Sequence, residues 1–305
     1  MKDPEFLLYR LNFVDREILF HNPVRSNEDL VRVLQEAVSE RADYPQHSHR
    51  SRWKWSLRDL RGGSVIAKDR NFIFLTFAHE TISRSGKIVS SNGVVLGTSA
   101  FSPPLAQTAD VIIDMDRHIV AIEDVASIMQ QRRKWLQAME TILRQAARWA
   151  EFSSMVRLVP IPPRDAVYAR IRRLTRITRI QATLAIPNPD LNPLFAELYE
   201  AMQRGGIRDL TQDMRSDRGL NMEDGTLPSS TLEMALDGYR NGNIHLRGYT
   251  ADNKPEKFSI RDDVARIENL RGYTEAVRDL SSTKGVPSRA AGMILDKIDE
   301  MFPRP

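Results

Sequence analysis

The chain has 305 residues, 41% hydrophobic and 28% charged, enough for two domains or one large one with a core that needs no covalent staple. It holds no cysteine, which excludes disulfides, thiolate catalysis and the strongest zinc-site patterns. A net charge of +4 is too small to attract a polyanion through the overall field, so any such attraction must come from local patches.

The opening MKDPEFLLYRLNF carries acidic residues and no long apolar core, and no window reaches eighteen uncharged apolar residues. These features predict a cytoplasmic protein that does not engage a membrane. Phe6 to Phe13 reads as a first strand. Asn27 then caps a helix through about Arg41, with Leu30, Leu34, Ala37 and Val38 on one face. Residues 43 to 70 lack apolar periodicity and carry a charge of +5 over 41–70, with Arg50, Arg52 and Lys54 around Trp53 and Trp55. This stretch reads as irregular or short-stranded. Its interleaved cations and aromatics suit base stacking, or else the tryptophans are half-buried core anchors.

Asn71 to His79 is apolar on both alternating faces, as in a central strand. Asn92-Gly93 supplies a turn, Val94 to Thr98 a further strand, and Pro103-Pro104 a break. Val111 to Met115 and Ile119 to Ile122 flank Asp116-Arg117-His118 as a tight hairpin. From Glu123 to Phe152 the spacing predicts one helix of about 40 Å at ~1.5 Å per residue, suited to an arm, a domain connector or a dimer element. Val156 to Ile161 follows as a strand, then a short helix capped by Asp165. Ile177 to Ile186 alternates, with Ile180, Ala182, Leu184 and Ile186 on one face and Arg179, Gln181 and Thr183 on the other. A helix near 192–204, a strand near 208–214, a helix from Ser229 to Tyr239, strands from Asn243 to Tyr249 and Lys257 to Ile260, and a last helix from Ser288 to Met301 complete the pattern.

The fold class is therefore α+β in two domains. Residues 1–151 form an antiparallel N-terminal sheet with a long helix, and 152–305 a ferredoxin-like or mixed α/β sandwich.

The most pointed chemical feature lies between Arg164 and Arg179. Six arginines (Arg164, Arg170, Arg172, Arg173, Arg176, Arg179) face one carboxylate, Asp165. Guanidinium stays charged at cellular pH and its donor fork fits phosphate oxygens, so the run reads as a nucleic-acid interface, with Arg50, Arg52, Lys54 and Trp53 assisting. Arginine outnumbers lysine 35 to 9 in the whole chain, so a solvated face or an ion-pair role is the competing reading. Catalytic patterns are weaker. Asp110, Asp114, Asp116 and Glu123 could hold Mg²⁺ or serve a turn. His47 and His49 flank Ser48, and with His79, Tyr168 and His245 they are the candidates for metal-independent RNA cleavage. No phosphate-cradling glycine loop with its lysine occurs, and no cofactor is implied.

The segment VRLVPIPPRDAVYARIRRLTRITRIQATLAIPNP, preceded by NFIFLTF and SSNGVVLGTSAFSPP, resembles the RexA phage-exclusion proteins over about residues 70 to 190. VIIDMDRHIVAIEDV resembles segments of other phage-defence proteins. The resemblance implies a homodimeric α+β protein that binds double-stranded DNA with little sequence preference and acts as a sensor in abortive infection. The alternatives are a ferredoxin-like RNA-processing endonuclease, and a non-catalytic component of a defence or toxin complex that binds a protein partner encoded in the same operon.

Overall fold

The computed structural model describes residues 3–15, 26–65, 69–90, 93–130, 132–152, 154–185, 196–207, 209–260, 263–281 and 287–303. The fold is mixed helix and strand, built on two antiparallel sheets. The expected turn residue Asn92, Ile186 and the Pro187–Pro189 stop lie outside the described residues.

The first sheet has eight strands: β1 (Phe6–Asp15), β2 (Tyr44–His47), β3 (Ser51–Val65), β4 (Arg70–Ser90), β5 (Gly93–Asp114), β6 (Ile119–Glu123), β7 (Ser154–Pro160) and β12 (Arg266–Ile267). The order is β12-β1-β6-β5-β4-β3-β2, with β7 also on β1. Both faces of the central part of this sheet are covered. Tyr9, Leu11, Leu57, Leu75 and Val111 pack with α1 (Asn27–Ala37) and α3 (Arg132–Trp149). Phe6, Leu8, Phe72, Phe74 and Ile112 pack with α7 (Tyr273–Ser281) and α8 (Ser288–Met301). That double burial is why Phe72 to Leu75 is apolar at every position rather than at every second one.

Several expectations are corrected here. The described part of 43–70 is mostly strand: β3 runs fifteen residues, and Trp53, Trp55 and Leu57 are its inward alternation, kinked at a bulge between Arg58 and Arg61. Pro103-Pro104 does not end the strand. Thr81 pairs Leu105 while Ser83 pairs Ala100, so the prolines sit in a bulge where no ladder N–H is required. The helix cap is Ser26, whose side chain accepts from the Asp29 N–H while Asp29 accepts from the Ser26 N–H, a capping box one residue before Asn27.

The single helix from Glu123 to Phe152 is interrupted as well. Glu123 is a strand residue opposite Phe6, the Asp124 N–H donates to Glu5 O at 2.7 Å, and α2 (Ala126–Met129) is a separate turn before α3. Eighteen residues of α3 give about 27 Å. Trp135, Ala138, Met139, Ile142 and Ala146 are buried against the sheet, so its apolar face is largely spent inside the fold.

A second sheet, order β11-β10-β8-β9, contains β8 (Leu174–Ala185), β9 (Asp209–Arg215), β10 (Ile244–Thr250) and β11 (Pro255–Ile260). Every pairing is antiparallel. Helices α4 (Arg164–Arg172), α5 (Ala196–Arg204) and α6 (Leu227–Leu236) contribute Val167, Met202, Leu232 and Leu236 to one core with Ile180, Leu184, Leu246 and Phe258. Among the described residues no element covers the opposite face.

A division at residue 152 does not follow the sheets, because β7, β12, α7 and α8 all belong with the first one. Buried polar contacts join the two. Arg10 Nε donates to Asp237 O at 2.7 Å, Asn12 Nδ2 to Gly238 O at 3.0 Å and Arg240 Nη2 to Pro160 O at 3.1 Å. Gly238 has φ +89°, and a Cβ there would lie 2.6 Å from that of Arg10, so only glycine permits this approach. Among the described residues no helix is long and apolar enough to cross a membrane.

Candidate nucleic-acid interface

Strand alternation sends Ile180, Ala182, Ile244, Leu246, Phe258 and Ile260 inward, which leaves the intervening residues on the open face. Antiparallel register then sorts these into transverse rows. Lys257 stands opposite Arg247, Arg247 opposite Arg179, and Arg179 opposite Arg215. One step along, Ser259, His245, Gln181 and Asp213 form a parallel row. At ~4.8 Å between strands, four cations span about 14 Å.

The electrostatics of the row are unequal at its two ends. Asp213 accepts from Arg179 Nε at 2.6 Å and Nη2 at 2.7 Å, and from Arg215 Nη2 at 2.6 Å. Those two guanidiniums hold its carboxyl well below the usual carboxylate range. Arg247 and Lys257 are exposed and have no acidic side chain within ion-pair distance among the described residues. A cavity of about 630 Å³ lies at this end, lined by Arg170, Arg179, Gln181, His245, Arg247 and Lys257, among others. His245 Nδ1 is 2.6 Å from Ser259 Oγ. Like charges directly opposite one another destabilise a sheet; Asp213 bridges the Arg179 and Arg215 pair, but folding alone gives no reason for the pairs Arg247 with Arg179 and Lys257 with Arg247.

The six arginines of the 164–179 run do not form one face. Arg164 is ion-paired to Asp237 and to Glu233 at 3.2 Å and lies over the Phe302 ring at 5.5 Å, which makes it a strut between the sheets. Arg176 covers Tyr249 at 4.5 Å. Arg170 covers Phe258 at 4.2 Å and borders the cavity that Arg179 also lines. Arg172 and Arg173 are exposed at the end of α4. Asp165 sits in the first turn of α4 but makes no side-chain cap.

The earlier patch divides too. Lys54 pairs with Asp43 at 3.0 Å and Glu80 at 3.3 Å. Trp53 Nε1 donates to Gln46 at 2.7 Å and its ring packs on the first core, so neither is arranged for a base. Arg50 and Arg52 remain exposed.

The carboxylates read as candidate metal ligands have other duties. Asp114 is fully buried, ion-paired to Arg70, and accepts from the Asp116 and Arg117 N–H groups of the hairpin, while Asp116 accepts from the Asn71 N–H. Asp110 is pushed up to about 6 by burial and by Glu123, with a hydrogen bond from Tyr273 opposing. Among the histidines, His47 and His49 are exposed. His79 stacks on Trp55 at 4.2 Å, and burial lowers its pKa. Tyr168 packs on the core of the second sheet.

Sequence reasoning placed Arg179 and Gln181 on an outward face but passed over Arg247, Lys257 and Arg215. The available signal was the alternation in IHLRGYT and PEKFSI, each with a lone cation outward. Only register assembles them.

The chain belongs to the family described as Domain of unknown function (DUF4747), which matches residues 102–271, more than half of its length. That span holds all four strands of the second sheet and every residue of the cation row. No curated protein matches the chain.

Proposed function

We propose that this protein binds nucleic acid through the open face of its second sheet, without sequence preference and with double-stranded DNA as the ligand. The observation that carries the reading is the row Lys257, Arg247, Arg179, Arg215. Fixed in register and diluted by one carboxylate, it presents a band of positive charge suited to phosphates. The outward positions argue for backbone contact rather than stacking on unpaired bases: apart from His245 the two rows carry no ring, and Tyr249 already lies beneath Arg176. Arg170, Arg172 and Arg173 extend the charged band from α4. The resemblance to RexA-type proteins would place such binding in phage exclusion, with a homodimer as the acting species.

Fluorescence anisotropy on a random-sequence duplex across a salt series tests this. Five phosphate contacts give a log-log slope of about −4.5, and Arg247→Glu with Lys257→Glu should flatten it by roughly 1.8. Unchanged affinity in the folded double variant would refute the assignment.

A second reading, RNA cleavage, rests on one feature: His245 stands among these cations with Nδ1 on Ser259, as a proton-transfer group would. Cutting of a labelled RNA that is lost in His245→Ala would favour it over simple binding.

A further inference from the structure

The hairpin of β4 and β5 outruns the rest of its sheet. β3 ceases to pair with β4 at Arg84, yet β4 and β5 remain paired from Ser85↔Thr98 to Ser90↔Gly93. The five pairs from Gly86↔Gly97 onward form a two-stranded ribbon about 17 Å long. A ribbon of this kind is marginal in water unless something covers it. One side carries Val89 opposite Val94 and Lys87 opposite Leu96. Val89 is 81% exposed, Val94 62% and Leu96 85%, and Val95 on the other side is 51% exposed. These are four of the seven large apolar side chains that stand exposed among the described residues.

Charge decides what covers it. From Thr81 to Ala109 the chain has no carboxylate and only two charged residues, Arg84 and Lys87, both exposed. Ser51 stands opposite Arg84 and Arg52 opposite Ser83, while the Ser85 N–H donates to Arg50 O at 2.6 Å. Exposed Arg50 and Arg52 therefore stand at the base of the ribbon. The nearby acids are already engaged: Glu80 and Asp43 hold Lys54, and Asp43 also holds Arg58. A second copy would bring like charge to like charge. A nucleic-acid groove complements both features, because the major groove admits a two-stranded β-ribbon and apolar side chains contact base edges and thymine methyls while cations hold the flanking phosphates.

We propose that the β4–β5 ribbon enters a groove of a nucleic-acid duplex, with Val89, Val94 and Leu96 against the bases and Arg84, Lys87, Arg50 and Arg52 on the phosphates. It rests on the proposed duplex binding and adds a second contact, which is reached through apolar matter. This gives Arg50 and Arg52 a role that Lys54 and Trp53 do not share.

The two kinds of contact separate in a salt series on the full chain. Val89→Ser with Leu96→Ser should weaken duplex binding roughly tenfold, the order expected when two large apolar contacts are lost, and leave the slope unchanged. Arg84→Ala with Lys87→Ala should flatten the slope by about 1.8. Both pairs lie outside the three cores, and a thermal midpoint equal to that of the parent checks folding. If the parent binds duplex and the Val89, Leu96 variant binds equally well, the ribbon proposal falls and the sheet-face reading stands. If the parent does not bind duplex, both fall. Apolar variants that split a dimer in sedimentation, or lose adhesion to phosphatidylserine vesicles, with duplex affinity intact, also overturn the ribbon proposal.

Discussion

Asp213→Asn is the perturbation that best separates a nucleic-acid interface from an incidental run of cations, because it predicts a gain. Asp213 is the one carboxylate in the two rows, and four hydrogen bonds tie it to Arg179 and Arg215. The cation row and Asp213 together carry +3, and the substitution raises this to +4 while releasing two guanidinium forks. One further phosphate contact steepens the salt slope by about 0.9. Between 50 and 200 mM salt, a fourfold change, that adds a factor of about 3.5 to the loss of affinity, with tighter binding at the low-salt end. The assay is anisotropy on one random duplex. Glu300→Gln is the control, since Glu300 is an exposed partner of Lys297 at 2.6 Å on α8 and its loss makes the same change in net charge far along the chain. A steeper slope in both variants would mean that net charge alone acts. A slope that is unchanged or shallower in Asp213→Asn refutes the interface, and misfolding does not mimic the expected gain.

Two further outcomes concern the framework. Arg164→Ala should lower stability by roughly 1–3 kcal/mol, since it leaves Glu233 and Asp237 without their cation, while the salt slope of duplex binding stays as it was; a changed slope with intact stability would return Arg164 to the interface. Asp110 sets a pH dependence. Its carboxyl titrates at about 6 in the fold against 3.8 ordinarily, so the folded chain binds more protons than the unfolded one between those values, and stability falls as pH rises from about 4 through 6. At ~1.36 kcal/mol per unit the loss is on the order of 3 kcal/mol. Asp110→Asn should remove it, visible as the difference between parent and variant in urea unfolding at pH 4.5 and 7. The difference matters because His118, lowered to about 4 by burial and by Arg10, stays neutral in the fold and makes stability rise with pH over 4 to 6.5. A difference that does not grow with pH contradicts the account of Asp110.

The sequence by itself determined the α+β class, most strand and helix positions, and the final helix at Ser288–Met301, because alternation and 3.6-residue spacing are local patterns that burial imposes. It also marked Arg179 and Gln181 as outward. It misjudged β3 and the Pro103-Pro104 stretch, where bulges at Arg58/Arg61 and Thr81/Ser83 shift the period that pattern reading relies on. It joined Glu123 to a helix because residue spacing does not reveal that Phe6 already holds it in a sheet. It read six arginines as one patch because they are adjacent in the chain, whereas turning from α4 into β8 directs Arg164 to Asp237 and Glu233 and Arg179 to Asp213. The rows that combine Lys257, Arg247, Arg179 and Arg215 exist only through antiparallel register among strands up to about eighty residues apart. The exposure of Val89, Val94 and Leu96 likewise depends on where β3 stops. Chain proximity is written in the sequence, but which charges stand side by side and which apolar side chains go uncovered is decided when distant strands pair.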